Sequence, residues 1–145
     1  MYLPRHIWFV LVVIMISSCS TETLDVTSPT GKLGVTVEPM EGKAYDKITF
    51  SVNYDGKTIL SQTELGLETD VQKFYGNLKL KSVSKTKRIV DDYKMITGKR
   101  SHCINEAFER TYSFENQEGN TLDITFRVYD NGVVFRYEIN TIADK

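Results

Sequence analysis

The chain has 145 residues, 41% of them apolar, with 18 basic against 19 acidic side chains and 2 cysteines. That length builds one domain of ordinary size. The near-balanced charge lacks the basic stripe that a phosphate backbone requires, so nucleic acid is not an expected partner.

In chain order, the first feature is the apolar run Trp8 to Ile16, followed by Ser17, Ser18 and Cys19. A helix needs about 20 apolar residues to cross a bilayer core, and this run is roughly half as long. Arg5 and His6 precede it and small residues follow it, which is the order of a secretory signal peptide. Ile16-Ser17-Ser18-Cys19 resembles the bacterial lipobox, an aliphatic and two small residues before a cysteine that is lipidated and becomes the mature N-terminus. The expectation is a signal peptide over residues 1–18, lipidation at Cys19, a polar tether over residues 19–27 and a membrane attachment through the lipid. The alternative is ordinary cleavage with an incidental cysteine. The implied location is the periplasm or outer membrane of a Gram-negative bacterium. With Cys19 carrying lipid, Cys103 is left without an internal disulfide partner, so the fold must hold by its core.

Ser28-Pro29-Thr30-Gly31 reads as a turn, and from Leu33 the apolar residues recur at every second position, the spacing of a strand with one buried face. Leu33, Val35 and Val37 make one run. Ile48, Phe50, Val52 and Tyr54 make the next, and Asp55-Gly56 turns it into Thr58, Ile59 and Leu60, predicting a hairpin. Leu78 to Val90 and Ala107 to Phe114 are predicted strands with looser alternation; in the second, Phe108, Tyr112 and Phe114 share a face that Arg110 interrupts. Leu122, Ile124, Phe126 and Val128 then alternate with polar residues, turn at Asp130-Asn131-Gly132 and resume as Val133, Phe135, Tyr137 and Ile139, the clearest hairpin in the chain. Gly56 and Gly132 are predicted to take positive φ. Gly66 falls in a strand-like run, where a missing side chain permits close packing of backbones. No window beyond the signal segment gives a helical stripe. Seven or so strands rich in β-branched and aromatic residues predict an all-β, antiparallel β-sandwich, since each half-polar sheet needs a second layer over its apolar face.

Reactive side chains are densest from Gly98 to Arg110, with His102, Cys103, Glu106 and Glu109. Zinc sites bring ligands in tightly spaced pairs, and one His with one Cys does not supply them, so no metal site is expected. Adjacent strand residues point to opposite faces, which separates His102 from Cys103 and leaves a loop with basic residues entering a strand. Asp91 with Asp92 and Glu106 with Glu109 are the nearest carboxylate pairs, the groups that glycosidases set across a scissile bond. Neither pair has the apolar surroundings that make a general acid, and both read as solvated surface. Phe74, Tyr75 and Tyr93 are candidates for a sugar-binding platform, against the commoner reading of core aromatics. Phosphate loops of the GxGxxG and GxxxxGK[ST] kinds are absent. The residues alone thus give an exported, lipid-anchored sandwich with no self-contained active site and no catalytic residue.

Four stretches together resemble the N-terminal domain of glycoside hydrolase family 97: SPTGKLGVTVE from Ser28, FSVNYDGKTILSQTELGLE from Phe50, TGKRS from Thr97 and FRVYDNGVVFRYEI from Phe126. The resemblance assigns residues 28–145 to that domain and implies a supersandwich-like fold, here incomplete. It also implies an exo-acting parent enzyme, an α-glucosidase or α-galactosidase acting on α-linked oligosaccharide, whose catalytic carboxylates and calcium ion belong to a (β/α)-barrel that this chain lacks. No catalytic residue can be carried over, and no cofactor is expected in this chain. The implied role is to pack on and shape the catalytic domain. An arginine fork binds carboxylates across an interface, so Arg100, Glu109, Arg127 and Arg136 are the candidate interdomain or ligand contacts, with plain surface charge as the alternative. The competing function is a stand-alone lipoprotein that binds carbohydrate or a surface protein. On the first reading an exposed strand edge is expected to leave the isolated domain self-associating or marginally stable, whereas a monodisperse, cooperatively unfolding monomer would favour the stand-alone lipoprotein.

Overall fold

The computed structural model describes residues 24–39, 47–98 and 101–140. The apolar signal run, Cys19 and Arg100 lie outside the described residues. The strands are β1 (Asp25–Thr27), β2 (Leu33–Pro39), β3 (Ile48–Tyr54), β4 (Lys57–Leu65), β5 (Leu67–Glu68), β6 (Lys73–Phe74), β7 (Lys79–Val83), β8 (Lys87–Lys94), β9 (His102–Glu115), β10 (Thr121–Tyr129) and β11 (Gly132–Asn140). No helix occurs among the described residues.

One sheet has the order β1-β2-β3-β4, and a second has β11-β10-β9-β7 with β8 also paired to β9. Strands β5 and β6 form a separate two-stranded ribbon. Every described pairing is antiparallel. The sheets face each other as a sandwich because the alternation predicted from sequence is obeyed on both. Val35, Val37, Ile48 and Phe50 point inward from the first sheet, and Tyr112, Phe114, Leu122, Ile124, Phe126 and Val128 from the second. Burying each such side chain stabilises by about 1.5–3 kcal/mol. Where the layers meet, the Phe50 and Phe126 rings lie 5.3 Å apart, and Tyr112 meets Phe126 edge-on at 6.1 Å, an arrangement aromatic quadrupoles favour.

The structure refines several expectations. Asp25–Thr27, placed with the tether by sequence, form β1 on the edge of the first sheet, with Val26 buried. The run Leu78 to Val90 is two strands. Both lie along the same edge of β9, β8 opposite His102–Glu109 and β7 opposite Tyr112–Glu115. Arg110 does not interrupt the buried face of β9 but belongs to it, 7% exposed. Its guanidinium donates to the carbonyls of Ser84 and Asp25 and lies 5.9 Å from the Tyr112 ring centroid. Tyr112 donates in turn to the Leu24 carbonyl at 2.7 Å, so two polar tips reaching through the core fasten β1. Burial pushes the Tyr112 phenol well above its ordinary range, which keeps it a donor.

Gly66 lies at the expected close approach. A Cβ there would sit 2.8 Å from the Cβ of Tyr75 and 3.1 Å from the Phe74 carbonyl oxygen. Gly56 takes φ +76° as predicted. Gly132 does not take a positive φ; it is the first residue of β11, paired with Tyr129, so extended backbone suffices there.

Candidate functional site

The outer face of the second sheet gathers most of the predicted contact residues. Because Phe126 and Val128 point inward, the residues between and beside them on β10, Asp123, Thr125, Arg127 and Tyr129, point outward. Register sets them opposite Ser113, Thr111, Glu109 and Ala107 of β9. The three polar pairs close as a ladder: Ser113 Oγ donates to Asp123 at 2.5 Å, the Thr111 and Thr125 hydroxyls meet at 2.9 Å, and Arg127 Nη2 donates to Glu109 Oε2 at 2.6 Å. Nε of Arg127 donates to the same oxygen at 3.0 Å. Strand β11 joins through Asn140, which donates to Asp123 at 3.1 Å.

Strand β8 supplies the other end. Tyr129 donates to Asp91 Oδ2 at 2.5 Å, and Nη1 of Arg127 lies 3.5 Å from both the Tyr129 oxygen and Asp91 Oδ1. Asp91, Tyr129, Arg127 and Glu109 are therefore one network across three strands, with the cation between two carboxylates. Hydrogen bonds to Tyr129 and then to Glu109 raise the Arg127 guanidinium further above its ordinary value. Burial, then the bond to Asp91, raises the Tyr129 phenol. Arg127 is a permanent cation here and Tyr129 a permanent donor. The side chains of Arg127, Asp91 and Glu109 are 30%, 34% and 17% exposed, so this cluster is half-buried polar structure rather than the solvated surface read from sequence for Asp91 and Glu109. Asp92 and Glu106 are exposed, Asp92 in a hydrogen bond with His102 and Glu106 in an ion pair with Arg88.

Arg127 and Glu109 are thus brought together, but the arginine fork is engaged inside its own sheet. Arg136 differs. It stands opposite Thr125 on β11, its side chain is 66% exposed, and its nearest carboxylate is Glu138 at 3.8 Å. Glu109, Thr125, Arg127, Val134, Phe135 and Arg136 line a depression of about 180 Å³, smaller than the roughly 300 Å³ at which small-molecule sites begin. Sequence pattern singled out Glu109, Arg127 and Arg136 as candidate contacts, and all three lie on this face. It missed that Asp91 and Tyr129 complete the network, because the β8–β9–β10 alignment that joins them is set by long-range pairing.

The aromatic platform does not assemble. Phe74 is fully buried, Tyr75 is 61% exposed beside the ribbon, lining a polar hollow with Asn77 and Asn116, and Tyr93 stands on β8 beside Asp92 and Asn105. Among the described residues no three His, Cys, Asp or Glu side chains converge to hold a metal ion.

The family described as glycosyl-hydrolase 97 N-terminal matches residues 26–145. Among curated proteins, one named "Probable retaining alpha-galactosidase" from Streptomyces bingchenggensis (strain BCW-1) is 25% identical over 115 residues, 79% of this chain and 18% of its own length. Among solved structures, one of a beta-arabinopyranosidase aligns with a TM-score of 0.74 at 35% identity, over 82% of this chain and 18% of the other. A family 97 enzyme from Pseudoalteromonas sp. strain K8, crystallised in complex with panose, aligns with a TM-score of 0.72 at 24% identity and the same coverage, which speaks for the fold alone. The chain spans about a fifth of the length of these relatives.

Proposed function

Because the chain belongs to the glycosyl-hydrolase 97 N-terminal family, we propose that it is the leading β-sandwich portion of an exported α-glycosidase, serving to pack on and shape a catalytic (β/α)-barrel and having no hydrolytic activity alone. The observation that carries this reading is that the nearest carboxylates of the outer face, Glu109 and Asp91, are tied up by Arg127 and Tyr129. Retaining or inverting hydrolysis needs two carboxyl groups free to face a sugar from opposite sides. Here Glu109 Oε2 accepts from Arg127 and Asp91 Oδ2 from Tyr129, so both carboxylates are engaged on one sheet surface with the cation between them. On this reading the calcium ion and the chemistry both belong to the barrel, whose βα loops carry catalytic groups. Arg136 is the exposed charge that a barrel carboxylate would meet. The relatives named for α-galactoside and β-arabinopyranoside chemistry reach 25% and 35% identity, which supports such glycosides as the substrates of a parent enzyme. Export and a lipid on Cys19 complete the proposal, resting on the signal-like run.

The test is the purified mature chain assayed on aryl α-galactosides, β-arabinopyranosides and α-glucosides. No turnover is expected, and hydrolysis that survives repurification would overturn the reading. Reading the DNA downstream of the Lys145 codon in three frames gives the second check. A barrel-coding region is expected, whereas an unrelated gene would favour a stand-alone binding lipoprotein. Mass spectrometry of the mature N-terminus should find a lipidated cysteine at position 19; an unmodified terminus beyond it would remove the anchor.

A further inference from the structure

Of the three aromatic candidates for a sugar platform, Tyr75 alone has the surroundings for one. Phe74 and Tyr75 are consecutive at the end of the β5–β6 ribbon, so their side chains point to opposite sides. Phe74 enters the core, and Tyr75 is left 61% exposed. The base of the Tyr75 side chain is held from behind, since a Cβ at Gly66 would come within 2.8 Å of the Tyr75 Cβ. Beyond the ring, Gly76 and Asn77 take φ of +69° and +54°, and Leu78 is back in the core, 1% exposed. Asparagine tolerates the left-handed region that most side chains avoid. The chain thus folds back within two residues, and the Asn77 side chain joins the ring on one hollow.

Asp70, Tyr75, Asn77, Asn116, Gln117 and Glu118 line that hollow, of about 360 Å³ against about 180 Å³ beside Arg136. Small-molecule sites begin at roughly 300 Å³. Its walls are the β5–β6 ribbon, the turn after it and the β9–β10 loop, and β11 contributes none of them. Both walls are braced. The Thr69 N–H donates to the Gln72 carbonyl at 2.8 Å, and the Thr69 hydroxyl accepts from the Gln72 N–H at 3.0 Å. On the other side, Asn116 Oδ1 accepts from the N–H groups of Glu118 and Asn120 at 3.1 and 2.9 Å. Asn116 Nδ2 donates to the Lys73 carbonyl at 3.4 Å, which ties loop to ribbon. Among the described residues, by contrast, no hydrogen bond or ion pair engages the side chains of Asp70, Asn77 and Gln117.

The lining narrows the ligand. The carboxylates of Asp70 and Glu118 repel an anion, and the cation on the lining, Lys73, is paired with Glu68 at 2.8 Å. A neutral molecule with one apolar face and many hydroxyls fits what is left. The C–H face of a pyranose stacks on an aromatic ring, and its hydroxyls, donors and acceptors at once, match amides and carboxylates.

We propose that the hollow beside Tyr75 is a binding site for α-linked oligosaccharide, with Tyr75 as the stacking platform and Asp70, Asn77 and Gln117 as partners of the sugar hydroxyls. The saccharide class follows from the hollow; the α-linkage rests on the reading of an α-glycosidase parent.

The experiment is isothermal titration calorimetry of the mature chain with maltotriose, cellotriose and inorganic phosphate, with circular dichroism to confirm that every variant is folded. The expected result is saturable binding of maltotriose, cellotriose weaker on the order of tenfold, and no binding of phosphate. Y75A should weaken maltotriose on the order of tenfold, whereas Y75F keeps the ring face and should stay within about twofold. N77G removes the amide where glycine adopts the backbone freely and should weaken binding about threefold. Y93A, which removes the exposed tyrosine of β8, should bind as the parent does. No maltotriose binding, binding indifferent to Y75A, an equal loss in Y93A, or phosphate bound in place of sugar would each overturn the site. Cellotriose bound as tightly as maltotriose would overturn the α-linked assignment. A barrel-coding region downstream is read independently of all of these, so a failed hollow and a failed parent reading give different results.

Discussion

The two hairpins look alike in sequence and are held by different means. In β3–β4, Asp55 and Gly56 take φ of +49° and +76° between the paired residues Tyr54 and Lys57, the left-handed pair that matches strand twist. That turn is encoded by its own two residues. In β10–β11, Asp130 and Asn131 lie between Tyr129 and Gly132 and neither takes a positive φ. This turn is tied instead to the loop before β2. Asp130 Oδ1 accepts from the Thr30 hydroxyl at 2.6 Å and from the Thr30 backbone N–H at 3.0 Å. A DG and a DNG string thus end in similar hairpins, one by local backbone chemistry and the other by a contact made 100 residues away in sequence.

The largest test of this contrast lies where the hairpins share the core. Phe126→Ala removes a fully buried ring in contact with Phe50 and Tyr112 and should cost about 3–5 kcal/mol in urea unfolding. Its register partner Phe135, 46% exposed, should cost less than half as much when cut to alanine. Equal losses would mean that the β11 edge is as well covered as the interior. Next comes Gly66→Ala, just beyond the first hairpin. The new methyl meets Tyr75 at 2.8 Å and the Phe74 carbonyl, which backbone cannot yield cheaply, so a loss of about 1–3 kcal/mol is expected. A neutral result would show that the ribbon is free to shift.

The two turn glycines divide the hairpins directly. Gly56→Ala forces an L side chain into the left-handed region and should destabilise by about 1–2 kcal/mol, although a Cβ there meets nothing within 4 Å. Gly132→Ala also meets nothing and needs no positive φ, so thermal or urea unfolding should move by no more than about 0.5 kcal/mol. Comparable penalties at both would show that the second turn depends on its glycine after all.

How much of this was legible in the sequence follows the same division. Period-two alternation found both hairpins, the inward set from Leu33 to Val128 and the all-β sandwich, because burial on one face writes itself into the chain locally. The Gly66 approach was readable for the same reason. Hidden from it were features set by distant pairing. Val26 falls in a stretch too short to show a period, and β1 exists because β2 offers an edge and Arg110 and Tyr112 reach its carbonyls. Arg110 looked like an interruption because its compensation, the carbonyls of Ser84 and Asp25, lies 26 and 85 residues away. At the candidate face, the polar phase of β10 pointed to Arg127, whereas its closure by Glu109, Tyr129 and Asp91 required the register of three strands.

The smallest effect tests the distant tie itself. The Thr30 hydroxyl, then the Thr30 N–H, hold the Asp130 carboxyl below the usual aspartate range. A carboxyl depressed in the folded state contributes stability that is fully present above its unfolded value of about 3.9 and is lost as pH falls through the folded value. In Asp130→Asn the amide oxygen can still accept from Thr30, but without charge assistance. The variant should therefore be slightly less stable than the parent at neutral pH, and the gap should close below about pH 4 as the parent's carboxylate is protonated. Paired urea melts at pH 7 and at pH 2.5 read this out. A gap that stays constant between them would mean that the tie is held by geometry alone, and that the charge of Asp130 plays no part in keeping a turn whose own residues do not fix its conformation.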